Sequence, residues 1–502
     1  MATIRYEFVY AAIQKADTLI DPNICNNLTK RYEFIKQKIL ENESLTKDEK
    51  WKAKKIIEQD HDYIKVISNE GKKRLCENCA LECLATLYCE HCVRTYLKNN
   101  FSNWTSGNSD INYLIQVLQK ESLHPDNIVE WIPYNNLQDI KYITKGGCSE
   151  IYSAIWIGGH YIEWNSKEQQ LKRSSGTFKV ILKKLENVEN ANRSWFDEAI
   201  SHLALSNKFP SVVNCYGLTQ DPTNGDYMLV MQLLDKDLRK YLQYQHTWEE
   251  KINIVVKIIS ALYNIHFYEA VHRDLHSGNI LYSRYNGSWY VSDFGFCGPA
   301  DKPLKSIYGN LPYIAPEVII GKEYTFASDI YSFGILMWEI SSGQAPFNNY
   351  EHDYDLAMKI VNGMRPKIRT EIPSKYKELM KQCWDADPLR RPDANTLNVE
   401  IQKMMKDICN NDNANEFNTL EYNNSSQISS SSSNLSSSST LSTSKLYQFE
   451  NLPEPRNATE EEQEAFHSQP YDFEIPNNIE DLDSSKDQEE LIKDLNRLEL
   501  DK

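Results

Sequence analysis

Apolar residues recur at helical spacing early in the chain, as in Trp51, Ile56 and Ile57, then Tyr63, Ile64 and Ile67. Asp21-Pro22-Asn23 breaks that pattern, and 44–49 reads as a helix start, so residues 1–72 predict a small helical hairpin. Such a hairpin is expected to be a packing or dimerisation arm without chemistry of its own. A second short helical run at 113–120 falls in a stretch, 106–137, read as a linker helix. From about 138 the pattern changes to β-favouring runs, and later to a strongly apolar helix that opens at Ser328. Helices and strands in this mixture predict an α+β domain over 138–408. Beyond 409 the pattern collapses: 410–424 is polar and 425–444 is more than half serine, which predicts a disordered tail with no packed core. Within it, 488–500 has the spacing of one acidic amphipathic helix, expected to fold only on a partner or not at all.

Composition sharpens this division. The formal charge is −16, and −12 of it lies from Leu446 onward, so the part expected to fold is close to neutral. That balance argues against nucleic acid as a partner and gives the acidic tail to proteins. No run of about 18 uncharged apolar residues is present, so no membrane span is expected. Of eleven cysteines, five fall within 76–92 and the rest are scattered, as in a reduced intracellular protein with a metal site. The expected place is the cytoplasm, with the nucleus second.

The chemistry sits in 138–408. The segment 143–154, ITKGGCSEIYSA, reads as a glycine-rich strand–turn–strand whose amides approach phosphates with no Cβ in the way. Gly146 keeps the usual register, Gly147 is extra, and Thr144 and Ser149 stand where outer glycines are usual. Val180-Ile181-Leu182 then leads into Lys183, with Glu198 about fifteen residues on along a helical pattern. Lys183 is expected to hold the α- and β-phosphates and Glu198 to orient it. Strand alternation turns the rival Lys184 outward.

The most specific part is Val271-His-Arg-Asp-Leu-His-Ser-Gly-Asn279 followed by Val291-Ser-Asp-Phe-Gly295. Asp274 suits the carboxylate that accepts a substrate hydroxyl's proton, and Asn279 and Asp293 suit Mg²⁺ on nucleotide phosphates. Ala315-Pro316-Glu317, the helix opening at Ser328-Asp329 and the loop ending at Arg391 complete the order. Glu317 and Arg391 are expected as a buried ion pair, and Asp329 as a cap on the catalytic loop. Arg273 is suited to read a phosphate on Ser306 or, second, Tyr308.

With SDIYSFGILMWEI and CWDADPLRRP, these motifs resemble the tyrosine-kinase-like serine/threonine group of eukaryotic protein kinases, most of all the set expanded in some soil fungi. The resemblance covers about 270 residues, with WIPYN and the cysteine cluster ahead of them. It implies a bilobal kinase fold, ATP with Mg²⁺ or Mn²⁺, and transfer of the γ-phosphoryl to Ser/Thr of protein substrates in intracellular signalling. It also implies nucleotide contacts at Gly146, Gly147, Ile151, Met231, Leu233 and Leu234. The chain departs from that pattern at His276, where the group has a lysine, at Asn310, where it has a threonine, and in an insertion over 158–177. Because two ends of one hydrogen bond differ together, Asn310 is expected to bridge His276 and Asp274. His202 stands where a core hydrophobe is usual and is read as a satisfied buried histidine. The competing function is a pseudokinase scaffold that binds partners through the cysteine segment and the tail.

Cys76-Glu-Asn-Cys79 and Cys89-Glu-His-Cys92 form CxxC–x9–CxxC, which predicts a zinc-ribbon-like segment over 73–105. Four thiolates within about 4 Å of one another fill a tetrahedral site. That leaves no water to activate, so the Zn²⁺ is expected to be structural. Cys83 and His91 are spare candidates.

Overall fold

The computed structural model describes residues 4–20, 27–122, 124–145, 149–174, 176–185, 200, 202–206, 208–293, 298–299, 307–368, 372–409 and 444–468. It is a mixed α+β structure. Three helices, not a hairpin's two, open the chain: α1 (Tyr6–Thr18), α2 (Leu28–Glu41) and α3 (Lys47–Ser68). The extra helix follows from Val9, Ala12 and Ala16, which share one face of α1. Val9 and Ala12 join Ile39, Leu45, Ala53 and Ile56 in a small core. Thr46 Oγ1 accepts from Glu49 N (3.3 Å) and Glu49 Oε2 accepts from Thr46 N (2.8 Å), a reciprocal cap that starts α3.

A two-stranded ribbon, β1 (Arg74–Leu75) with β2 (Glu82–Cys83), leads to α4 (Glu90–Asn99) and α5 (Ser109–Lys120). Asp62 of α3 fastens this region by accepting from the amides of Thr86 and Leu87, each at 2.7 Å. The stretch read as a linker does more than connect. It supplies β3 (Glu130–Trp131), one edge of a six-stranded sheet in the order β3-β9-β10-β8-β5-β4. The other strands are β4 (Leu137–Lys145), β5 (Glu150–Ile157), β8 (Thr177–Lys184), β9 (Cys215–Gln220) and β10 (Tyr227–Gln232). β3 runs parallel to β9 with Glu130 opposite Gly217. Gly217 has φ 151°, and a Cβ there would lie 1.8 Å from Glu130 O, so only glycine admits the strand.

Each face of the sheet has its own core. Ile111, Leu114, Ile115 and Leu118 of α5 pack with Leu203, Leu218, Leu229 and Met231. On the other face Trp156, Val180, Leu182, Tyr216 and Val230 pack together. The insertion 158–177 contains an antiparallel hairpin, β6 (Tyr161–Asn165) and β7 (Gln170–Arg173). Its Trp164 and Leu171 lie in one apolar cluster with Cys76, Cys83, Cys89 and Cys92. Arg173 meets Glu130, and Lys55 of α3 reaches Glu163 at 2.6 Å. The insertion thus welds the cysteine segment to the sheet.

The helical half is built on Trp248–Phe267, Phe326–Ser342, Ser374–Cys383 and Ala394–Cys409. Helix Phe326–Ser342 is buried nearly throughout, as its continuous apolar sequence requires. Arg391 and Glu317 form a buried two-pronged pair, both bonds at 2.7 Å. α1 touches this half: Gln14 Nε2 donates to Asn286 O (3.0 Å), and the Tyr6 and Tyr10 rings lie 4.8 and 5.5 Å from that of Tyr285.

The expectation of disorder throughout the tail needs correction. Residues 444–458 lie along the helical half, where strand Lys445–Tyr447 pairs antiparallel with strand Ile307–Gly309. Leu446, Tyr447 and Phe449 supply the apolar and β-favouring side chains that the serine tract lacks. From Thr459 a separate unit begins, with a helix over Glu460–Ser468 whose first turn is closed by Glu462 N donating to Thr459 Oγ1 at 3.2 Å. The region 488–500 lies outside the described residues.

Candidate active site

Lys183 ends the inner run of β8. Its neighbours Val180 and Leu182 point into the core, while Lys183, only 5% exposed, meets the Asp293 carboxylate across the cleft. Burial alone would raise the Asp293 carboxyl, but Lys183 holds it below the usual carboxylate range. The rival Lys184 faces away and pairs with Asp226 at 2.7 Å. Glu198, Gly146 and Gly147 lie outside the described residues. Ile151 stands on β5 opposite Lys183. Met231 is buried at the end of β10; beyond it Leu233 is exposed and Leu234 packs against the sheet core.

The loop after strand Ala270–Val271 is held from below. Asp329 accepts from His272 N (2.8 Å) and Arg273 N (2.9 Å), and His266 Nε2 also reaches it (2.9 Å). These bonds keep Arg273 in the left-handed region, at φ 68°; Asp293 is left-handed as well, at φ 67°. Asn279 Nδ2 donates to Asp274 O at 2.9 Å, which commits the amide nitrogen to the loop and not the amide oxygen. A second buried network joins Arg239, Tyr313, Glu339 and Ser277, with Arg239 Nη2 donating to Tyr313 OH at 2.7 Å. Single-residue reading had no signal for it, because its members are scattered over a hundred positions.

The bridge expected of Asn310 is not present. Asn310 is 2% exposed, yet its Oδ1 has no hydrogen-bond partner. The group that joins Asp274 to His276 is Ser444, whose Oγ lies 2.8 and 2.7 Å from the two Asp274 carboxylate oxygens and 3.1 Å from His276 Nε2. His276 Nδ1 accepts from Gly278 N at 3.1 Å, so in the neutral ring the proton sits on Nε2 and points at Ser444. Ser444 was hidden because it closes a serine tract with no pattern of its own. His202 is buried with Nε2 3.2 Å from Val213 O, and burial pushes its imidazole down to about 4. Tyr308 is buried, its carbonyl accepting from Tyr324 OH; Ser306 lies outside the described residues.

Away from the cleft, the Sγ atoms of Cys76, Cys79, Cys89 and Cys92 lie within 4.8 Å of one another, a looser cluster than the 4 Å expected. The pairs Cys76–Cys92 and Cys79–Cys89 are both 3.7 Å apart. Cys83 is buried beside them without joining, and His91 Nε2 is bonded to Glu82 O at 3.0 Å.

A buried strand lysine paired with an aspartate, together with an Asp274–Asn279 loop, recurs in one family. Its model, protein tyrosine and serine/threonine kinase, matches residues 137–401, more than half the chain. The chain belongs to the protein kinase family. Among curated relatives, a probable serine/threonine-protein kinase of Dictyostelium discoideum is 26% identical over 319 residues, 60% of this chain and 18% of the relative. The human dual serine/threonine and tyrosine protein kinase is 29% identical over 245 residues, 47% of this chain and 26% of the relative. The chain therefore spans about a quarter or less of the length of these kinases. Among the described residues no helix is long and apolar enough to cross a membrane.

Proposed function

We propose that this chain is an ATP-dependent protein kinase that phosphorylates serine and threonine hydroxyls of proteins. The observation that carries the proposal is two pairs, Asp274 with Asn279 and Lys183 with Asp293, tied together by Ser292, which neighbours Asp293 and donates to Asn279 O. The donor set fits ATP with a divalent cation: Asn279 and Asp293 offer amide and carboxylate oxygens, as a hard cation requires, and Lys183 is a buried ammonium beside Asp293. When bound, the cation neutralises charge that develops on the phosphates. Asp274 accepts the acceptor hydroxyl's proton, and Asp329 keeps the loop bearing Asp274 in place. In this reading His276 takes the position that steadies the transferred group, and Met231, Leu233 and Leu234 line the base site.

The four-cysteine cluster supports a structural Zn²⁺. At a Zn–S distance near 2.3 Å, a tetrahedron sets sulfurs about 3.8 Å apart, which the two 3.7 Å pairs match. The segment 73–105 is then a rigid module, and protein partners for it and for the tail belong to the same proposal.

Asp274→Asn tests the kinase reading. Turnover of Mg²⁺-ATP on casein should fall by about 10²–10⁴ in that variant while nucleotide binding persists. Wild-type protein without turnover, or a variant equal to it, would sink the reading.

A further inference from the structure

Something already occupies the place where an acceptor hydroxyl belongs. Ser444 Oγ touches both carboxylate oxygens of Asp274, at 2.8 and 2.7 Å, and its residue is 5% exposed. One orientation satisfies every contact: the hydroxyl donates to Asp274 and accepts from His276 Nε2 at 3.1 Å. The placement does not depend on that hydroxyl alone. Immediately after it, Lys445, Leu446 and Tyr447 pair with Gly309, Tyr308 and Ile307, the strand that leads into Ala315-Pro316-Glu317. Gly309 has φ 146°, and a Cβ there would stand 3.2 Å from Ile314 and 3.4 Å from Asp274 Oδ1, so the bare Cα keeps the approach to Asp274 open.

The grip continues downstream. Tyr447 stacks on Phe449 with centroids 5.5 Å apart, and Phe449 lies 6.2 Å from Tyr354. Arg456 N donates to Val361 O (3.1 Å), and Asn457 Oδ1 accepts from Ala386 N (2.9 Å). Gly363 lets this strand of chain pass, since a Cβ there would be 2.3 Å from Ala458 N. Fifteen residues, 444–458, thus run over the helical half with a hydroxyl at the proton acceptor. Strand addition of this kind recognises main chain, and the side chains then fix the register.

We propose that Ser444 is the chain's own phosphoacceptor, delivered to Asp274 by strand addition within the same molecule. The inference rests on the kinase reading. In the step, Ser444 Oγ bonds to the γ-phosphorus of ATP as the bond from that phosphorus to the β–γ bridging oxygen breaks. The electron pair leaves with ADP, and the Oγ proton passes to Asp274. Ser444 lies 35 positions after Cys409, where the last helix of the domain ends, so the acceptor is tethered and does not depend on protein concentration. Before transfer the segment covers the groove that other substrates need. Afterwards a phosphate of roughly −1.5 to −2 charge faces the Asp274 carboxylate, and repulsion expels the segment. The modification therefore opens the site to other proteins.

The test uses the full chain after phosphatase treatment, incubated with Mg²⁺-ATP and casein, with phosphosites mapped by mass spectrometry. Phosphate should appear on Ser444 with a half-time unchanged by tenfold dilution, and chain carrying Asp274→Asn should remain unlabelled when mixed with active protein. Ser444→Ala should lose that phosphate and, with the strand still paired and nothing to expel it, label casein a few-fold more slowly than wild type. Tyr447→Ala with Phe449→Ala should slow Ser444 labelling tenfold or more and also speed casein labelling. Independently of any turnover, hydrogen exchange without nucleotide should find the amides of 445–447 protected in wild type and unprotected in Ser444→Glu. Labelled casein with unlabelled Ser444, phosphate on Thr443 instead, a rate proportional to concentration, or unprotected wild-type amides would each overturn the inference while the kinase reading stands. Absence of label on both casein and Ser444 would overturn the kinase reading, and this inference with it.

Discussion

Two ends of the unit that closes at residue 458, the N-terminal part and the segment 444–458, both lie against the kinase domain, but they are attached by different means. The N-terminal part is held by side chains: Gln14 on Asn286 O, Tyr6 and Tyr10 on Tyr285, Lys55 on Glu163, Tyr63 OH on Lys208 O. Each contact needs its own residue type, so no other peptide replaces that part. The segment 444–458 has side-chain contacts too, but it adds main-chain ones, a strand pair at 445–447 and the Arg456 amide donating to Val361 O. Any extended peptide offers those groups. The contrast teaches which attachment is built to persist and which to be exchanged.

The largest expected effect separates the two ends outright. Stripping metal with a chelator, or Cys89→Ser, should reduce bound zinc from one per chain to none and cost on the order of 10 kcal/mol at the site. Trp164, buried in the same cluster, reports the loss as a red shift in fluorescence. Exchange protection at 445–447 should survive; loosening of both ends together would break the comparison.

Next comes the wall shared with the C-terminal segment. Glu317, Lys322 and Asp385 line a cavity with Glu454, Pro455, Arg456 and Asn457. Glu317→Gln leaves Arg391 buried without its anion, which should cost about 3–5 kcal/mol in denaturant unfolding. The N-terminal helices should unfold no earlier than in wild type.

Acid should act on the two ends in opposite directions. Burial would lower the His124 imidazole, but Asp126 outweighs it and holds His124 above its usual value. Its contribution is fully present below the unfolded value near 6.5 and is lost as pH rises through the raised one. Burial, with the Lys445 charge second, pushes His352 down to about 4. Docking of the C-terminal segment is therefore favoured with His352 neutral and weakens as pH falls below about 6.5. Exchange rates at 445–447 and at α3, followed from pH 7.5 to 5.5, check both signs. The smallest effect is expected at Lys322→Ala, which removes an exposed pair with Glu454 at 2.9 Å and should change docking by less than about 1 kcal/mol.

What was readable in the sequence follows the same division. Asp274, Asn279, Lys183 and Asp293 carry their chemistry in side chains at set spacings, and strand alternation alone separated Lys183 from Lys184. The paired CxxC units were readable because two residues per turn must face one ion. β3 was missed: two residues cannot show a period, and its partner Gly217 matters for what it lacks. The hairpin β6–β7 read only as an insertion, since Trp164 and Leu171 acquire a role once the cysteine segment is beside them. Ser444 was unreadable because recognition by main chain leaves little trace in side-chain pattern. Asn310 gave a plausible partner for His276, and the buried hydroxyl that takes that place came from 168 residues beyond His276.

The short β3 has one more consequence. An open sheet ends in a row of unpaired amides and carbonyls, on which a second molecule can add a strand. Here the row beyond β9 is covered by a short stretch, Glu130 and Trp131 with Ile132 N donating to Leu218 O at 2.8 Å, and Pro133 follows with no N–H to offer. Arg173 is locked on Glu130 across the same edge, so a newcomer must displace a charged pair to gain a short stretch of ladder. Self-association through that side of the sheet is thereby discouraged by the same strand that completes it.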